Sequence, residues 1–408
     1  MPLTRLCKTP VRMDRDSSGS LYFSVLYALV TALYTTAVIL KVARGELKLG
    51  LWCVWSLFLV FIGEPLCFIK LPGYSGLLLL SVGFLISNSR LCKSMELLSV
   101  GNRAILITGC DSGFGHALAK HLDRLGFTVF AGVLNEQGPG SVELKRSGSE
   151  RLLVLQLDVT DMVQIEQAYL KIKALTKETG LWGVVNNAGI LGFIADGEIL
   201  PMSLFKNCMA VNFFAAVELS QTFLPLLRQA KGRLVNISSM AGQVPIPRFA
   251  AYAASKAALS IFSAVMRLEL SKWGVKVVTV QPSAFKTSIY GTQEQWNYHQ
   301  EQILSQLRPN VKEDYSEEYI LTLQNNLPKM SAVSSENLQP VLDDILHALM
   351  APNPEHLYSP GRSAWFIPFI HSLLPVRLWD IVICSMFESH KHLPGGIQGK
   401  PQEKHNRT

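Results

Sequence analysis

Beyond residue 103, short runs built almost wholly of valine, isoleucine and leucine alternate with longer amphipathic segments. This pattern constrains the fold more than any other feature of the chain. The runs lie at 104–108, 128–133, 152–158, 183–187, 233–238 and 276–281. Strands without polar alternation are buried on both faces, as in a parallel sheet covered by crossover helices. Helical periodicity fills the gaps at 116–125, 163–176, 203–227 and 250–273, and a helix at 338–350 with a strand near 356–358 closes the sheet. The expected fold class is α/β, a Rossmann-type doubly wound parallel sheet with an N-terminal helical membrane anchor.

The anchor rests on where the apolar residues fall. They make up 49% of the chain, and the excess is concentrated before residue 90 and again at 365–387. Residues 21–40 contain no charge until Lys41 and are long enough to cross a bilayer. The run at 51–69 is interrupted only by Gly63-Glu64-Pro65, while 74–87 is short for a crossing. A polar leader of about twenty residues and the further apolar runs argue against a cleaved signal peptide. The later cluster is broken by Pro368, Pro375, Arg377 and Asp380, which fits a segment lying on a bilayer or at a subunit interface.

The formal charge of +7 does not indicate nucleic acid, because the basic residues are scattered and many flank the apolar runs (Arg5, Lys8, Lys41, Arg44, Lys48, Arg90, Lys93). The seven cysteines follow no ligand spacing, so no metal is expected. Cys110, Cys208 and Cys384 read as small buried hydrophobes suited to a reducing compartment. Of the two glycosylation sequons, one (Asn236) falls in a core strand and the other (Asn406) in the tail, so neither argues for a luminal location.

The first strand runs directly into Thr108-Gly109-Cys110-Asp111-Ser112-Gly113-Phe114-Gly115 and then a helix. Glycines in that context let the backbone turn tightly and approach a pyrophosphate at the helix N-terminus. The spacing, Gly-xxx-Gly-x-Gly, resembles that of the short-chain dehydrogenase/reductase family. Further family motifs follow in order: Asp158-Val159 after the third strand, Asn186-Asn187-Ala188-Gly189 after the fourth, Ser239 after the fifth, then Tyr252-Ala-Ala-Ser-Lys256.

The resemblance implies a nicotinamide cofactor held by Gly109, Ser112, Gly113, Phe114, Gly115, Asn135, Asp158, Val159, Asn187, Ala188, Gly189, Tyr252, Lys256, Pro282 and Thr287. A 2′-phosphate would want a Lys or Arg in the loop or just past the second strand. The chain has Asp111 and Glu136 there, which favours NAD, although the family's usual ribose-binding Asp is missing near Val133.

Tyr252 and Lys256 lie one helical turn apart on one face. A phenol is too weak an acid to act as a base at neutral pH unless a neighbour such as an ammonium lowers its pKa. The resemblance assigns proton transfer to Tyr252, the pKa shift and ribose binding to Lys256, and the substrate oxygen to Ser239 and Tyr252. Asn212 would support a water chain to the lysine. Ser239 is chosen over Ser238 by its thirteen-residue offset from Tyr252. The family's Pro-Gly after the sixth strand is here Pro282-Ser283, which would be strained if that position needs positive φ.

The expected organisation is a polar tail (1–20), anchor (21–90), catalytic domain (103–288), substrate lid (289–337), closing helix and strand (338–361), apolar segment (362–391) and disordered tail (392–408). Ile190, Leu191, Phe193, Met240, Val244, Pro245, Phe285 and Trp296 are candidates for an apolar substrate lining. Within the family the chain is similar to the membrane-bound hydroxysteroid dehydrogenases, on stretches such as 126–136, 208–214 and 267–274. That likeness implies NAD-dependent oxidation of the 17β-hydroxyl of a steroid at the endoplasmic reticulum membrane, with an 11β-hydroxyl or retinol as alternatives. A non-catalytic dinucleotide-binding protein would have no need of the poised phenol. The family habit also implies a homodimer through the Tyr252 helix and its predecessor.

Overall fold

The computed structural model describes residues 16–43, 51–71, 73–91, 97–323, 331–332, 334–361, 363–387 and 394–398. The leader through residue 15, Lys93, Cys92, Asn406 and most of the expected disordered tail lie outside these residues. Two compact units divide at residues 95 and 96.

The first unit is helical. Helix α1 (Asp16–Ala43) is followed by α2 (Leu51–Phe58), which passes through a π-helical turn (Leu59–Gly63) into α3 (Glu64–Lys70), and then by α4 (Gly73–Leu91). The segments Tyr22–Lys41 and Trp52–Lys70 are long and apolar enough to cross a membrane, whereas the apolar part of α4, Tyr74–Asn88, is shorter. Outward-facing Leu33, Phe61 and Leu85 are exposed, as expected of surfaces facing lipid tails. The interior is where polar groups pair. The hydroxyl of Tyr34 bonds Ser56 and Ser87, linking three helices, and Lys41 Nζ donates to Asn88 Oδ1 at 2.7 Å.

The second unit is a sheet of seven strands: β1 (Ala104–Ile107), β2 (Thr128–Val133), β3 (Leu152–Gln156), β4 (Gly183–Asn186), β5 (Arg233–Ile237), β6 (Lys276–Val280) and β7 (Leu357–Tyr358). All neighbours are parallel in the order β3-β2-β1-β4-β5-β6-β7. The order reverses between β1 and β4, leaving the crevice where such sheets bind ligands. Helices α5 (Gly113–Arg124), α6 (Pro139–Ser147), α7 (Met162–Leu175), α8 (Met202–Met209), α9 (Ala215–Ala230) and α10 (Ala250–Leu270) cover the faces.

The period-two alternation of a strand divides the core. Ile105 and Ile107 enter one cluster with Leu118 and Ile345, and Leu106 and Phe130 enter the other with Ile165 and Phe223. Each such buried side chain stabilises the fold by about 1.5–3 kcal/mol. The segment Met202–Ala230 is also apolar enough to resemble a span, but half of it is buried in this unit.

The lid region forms α11 (Gln293–Gln306), α12 (Pro309–Tyr315) and α13 (Glu317–Thr322), with 324–330 outside the described residues. Helices α14 (Gln339–Met350), α15 (Phe366–Leu373) and α16 (Val376–Phe387) follow. A helical turn, Gly395–Gln398, lies beside Asp314 within the stretch expected to be disordered.

Candidate active site

The glycine loop turns because two of its residues take left-handed backbone, Gly109 at φ +68° and Gly113 at +59°. A Cβ on Gly115 would stand 2.3 Å from the carbonyl oxygen of Gly109, so only glycine lets the first turn of α5 lie this close. Ser112 precedes that helix without capping it through its side chain, leaving the amides of the first turn for an anion. The loop is stitched to the end of β4. Asn187 Nδ2 donates to the carbonyls of Thr108 (2.8 Å) and Gly109 (3.1 Å), and Thr108 Oγ1 accepts from the amides of Asn187 and Ala188, both at 3.0 Å. Thr287 rests over Gly113, and Ser288 meets Ser112 through their hydroxyls. This cradle fits a dinucleotide pyrophosphate.

At the end of β2, Asp111 folds back from the glycine loop. Its carboxylate accepts from the amides of Leu134 (2.9 Å) and Asn135 (3.2 Å). A negative charge therefore stands where the family's ribose-binding Asp is missing, supplied from another loop. Glu136 pairs with Gln156 through the backbone amide of Gln156 (3.0 Å) and lies 3.7 Å from Lys145. Asn135 Oδ1 accepts from the amide of Gln137 (2.9 Å), and Asp158 Oδ1 from Thr160 (2.9 Å). Val159 is buried.

Ser239 follows β5 and opens a short 3₁₀ turn, Met240–Gly242, accepting from the amide of Ala241 at 3.2 Å. Its hydroxyl stands near enough to the phenol of Tyr252 to favour the phenolate. Ser238 points the other way, donating to the carbonyl of Lys256 at 2.9 Å. Lys256 is buried, and its Nζ donates 2.9 Å to the carbonyl of Ile237 and lies 5.8 Å from the centre of the Tyr252 ring. Burial pushes the lysine down to about 8 and the phenol up to about 12, with the nearby Ser239 hydroxyl opposing the latter. The phenol is therefore raised by desolvation, not lowered as expected from its lysine neighbour.

Asn212 sits in a π-helical turn, Ala210–Phe214, between α8 and α9. Its Oδ1 accepts from the amide of Ile190 (2.8 Å), while Nδ2 donates to the Ile190 carbonyl and to Ser255 Oγ, both at 2.9 Å. A Cβ on Gly189 would lie 3.1 Å from Asn212 Oδ1 and 3.2 Å from Lys256 Nζ, so both groups border one small space.

Two further residues sit beside this set. Buried Cys208, its thiol held up at about 11 by desolvation, lies near Lys256 and Tyr252. Tyr290 acts on Tyr252 from the lid, bonded to Ser334 at 2.6 Å. Sequence spacing carries no signal for either, since both come from elements far along the chain.

Leu191, Phe193 and Trp296 join Tyr252 in one apolar cluster, with Ile190 packed against it. Phe285 instead packs edge-on against Phe114 in the core beneath the loop, 5.6 Å between centres, and Val244 packs under α16. Ser283 does not take positive φ. The left-handed glycine stands opposite it, at Gly361, where a Cβ would lie 2.0 Å from Ser283 Oγ.

Residues 103–298 match the family described as short chain dehydrogenase. The 17-beta-hydroxysteroid dehydrogenase type 2 of Homo sapiens is 48% identical, over 88% of this chain and 91% of that protein. The 11-beta-hydroxysteroid dehydrogenase type 2 of Bos taurus is 41% identical, over 89% and 90% respectively. Among solved structures, a short-chain dehydrogenase from Streptomyces avermitilis shares the fold, with TM-score 0.55 and 24% identity over 70% of this chain and 99% of that one.

Proposed function

This chain belongs to the short-chain dehydrogenase family, and from that premise we propose that it oxidises the 17β-hydroxyl of steroids such as estradiol and testosterone, with NAD as hydride acceptor. The observation that carries the reading is the 48% identity, over nearly the whole of both chains, to a 17-beta-hydroxysteroid dehydrogenase. Tyr252, Ser239, Lys256 and Asn212 stand together beside the dinucleotide cradle, as a working dehydrogenase requires.

Ser239 and Tyr252 hold the substrate hydroxyl; the phenol, protonated at neutral pH in the unliganded protein, would pass its own proton towards the Lys256 side as it takes that of the substrate. Lys256 holds positive charge at neutral pH and binds the ribose, its own orientation set by the Ile237 carbonyl. A water beside Gly189 would bridge Lys256 to Asn212 and carry the proton onward. Gly109, Ser112, Gly113, Phe114 and Gly115 cradle the pyrophosphate, and Asn187, Ala188 and Gly189 support it. Asp158 and Val159 border the adenine, Asn135 the ribose, and Pro282 and Thr287 the nicotinamide. When bound, the dinucleotide supplies the hydride acceptor. Asp111 and Glu136 disfavour a 2′-phosphate, hence NAD over NADP.

The apolar N-terminal helices fit residence in the endoplasmic reticulum membrane. A homodimer would cover Phe214, Ile261 and Leu268, which the helical faces of the catalytic unit expose.

The test is turnover by membranes carrying the full chain, with NAD or NADP and a panel of estradiol, testosterone, cortisol and retinol. NAD-dependent conversion of the first two supports the reading. Conversion of cortisol alone moves the assignment to the 11β-hydroxyl, and no turnover in protein that binds NAD overturns it.

A further inference from the structure

Helices α15 and α16 carry two different faces. The inner one is closed: Trp379 and Ile383 are buried against Val244, with Ile367, Ile370 and Leu374 packed around them. The outer one is apolar and open. Leu378, Ile381, Val382 and Met386 follow the spacing i, i+3, i+4, i+8 and so share one side of α16, all exposed. Phe366 and Leu373 on α15 are exposed as well, and so is Val376 (73%), which starts α16 on the side of Trp379 and Ile383. Arg377 and Asp380 stand to the flank of the stripe, not within it. Single exposed hydrophobes are ordinary, but seven on two consecutive helices mark a surface that is covered in use.

The chain itself indicates the cover. Its first unit holds helices fit to cross a bilayer, and only residues 92–96 separate α4 from the first described residue of the catalytic unit. A lipid surface is therefore always at hand, whereas a soluble partner would have to be recruited. A flat helix with an apolar face and charges at its edge is the form that lies in a lipid interface.

We infer that the α15–α16 hairpin is seated in the bilayer interface and, through its inner face, positions the turn that carries Ser239. Val244, its contact, ends that turn and donates its amide to the carbonyl of Met240 at 3.2 Å. Seating the hairpin on lipid thus orders the substrate-binding turn where a lipid-soluble alcohol arrives. This last step rests on the substrate class proposed above; the seating does not.

The experiment uses the full chain in phosphatidylcholine vesicles, with accessible thiols changed to serine and a fluorophore placed by Ile381→Cys. Doxyl-labelled phosphatidylcholine should quench this probe strongly and a probe at Ser271→Cys weakly. No quenching at the first position, or cross-linking there between copies instead, would overturn the seating whatever the substrate proves to be. The pair Ile381→Glu and Val382→Glu should leave the protein in the membrane fraction, abolish quenching of a probe at Leu378→Cys, and raise the KM for steroid several-fold with kcat and the KM for NAD unchanged. Quenching lost with KM unmoved would overturn the link to the Ser239 turn.

Discussion

Lys256 reaches the end of β5 from one turn beyond Tyr252, its ammonium nitrogen 2.9 Å from the carbonyl oxygen of Ile237. The contact ties the helix bearing the phenol to the strand that delivers Ser239. Lysine and serine are thereby both fixed to one strand end beside Tyr252.

Replacing Tyr252 by Phe removes the hydroxyl and little else. Oxidation should fall by about 10²–10⁴-fold, while NAD binding, read by fluorescence titration, stays within a few-fold of the parent. Equal loss of both would mean that the substitution disturbs the cradle and not the chemistry.

Burial holds Lys256 at about 8 in the folded protein, below its ordinary 10.5. Between those values the unfolded chain keeps a proton that the folded one has lost, so stability rises with pH across that window. Tyr252, held at about 12 against 10, acts oppositely only above pH 10. Lys256→Met removes the first effect. Its thermal stability relative to the parent should be most favourable below pH 8 and decline by pH 10, by up to about 3 kcal/mol. A flat difference would refute the buried ammonium.

Asn212→Ala leaves the amide and carbonyl of Ile190 without their side-chain partner. Each unsatisfied buried group costs about 1–3 kcal/mol, so the melting temperature should drop by several degrees, and by more than in Ser255→Ala, which loses one bond to Asn212. Equal drops would show that the loop after β4 does not depend on Asn212.

Asp111→Ser removes a negative charge at the end of β2. A carboxylate about 5 Å from a phosphate costs about 3 kcal/mol at an effective dielectric near 20. The ratio of kcat/KM for NADP to that for NAD should rise at least about tenfold. An unchanged ratio would place the discrimination elsewhere, with Glu136 next to be tested.

The strand pattern was legible because side chains buried on both faces must be apolar, and each strand emerged within two residues of its expected end. The overrun is systematic. Thr108, Asn187, Ser238 and Gln281 continue the strand sequence just past the strand ends; the amides of Thr108, Ser238 and Gln281 still donate to the neighbouring strand, and the loops start from there. The π-helical turn at Asn212 was not legible, since a one-residue widening of a helix leaves its apolar periodicity nearly intact. The same holds for Ser283, whose expected strain vanishes because the left-handed residue is Gly361, far along the chain.

What the sequence determined by itself is whatever depends on neighbours along the chain: the glycines of a tight turn, the one-turn interval of Tyr252 and Lys256, the uncharged stretch near the N-terminus. Backbone sterics and helical geometry act over a few residues, so they can be read there. Tertiary structure alone decided that Asp111 stands in for a carboxylate missing from β2, that burial raises the Tyr252 phenol, and that Val244 lies under Trp379. Desolvation and charge act through space, and the residues that meet in space lie tens to more than a hundred positions apart.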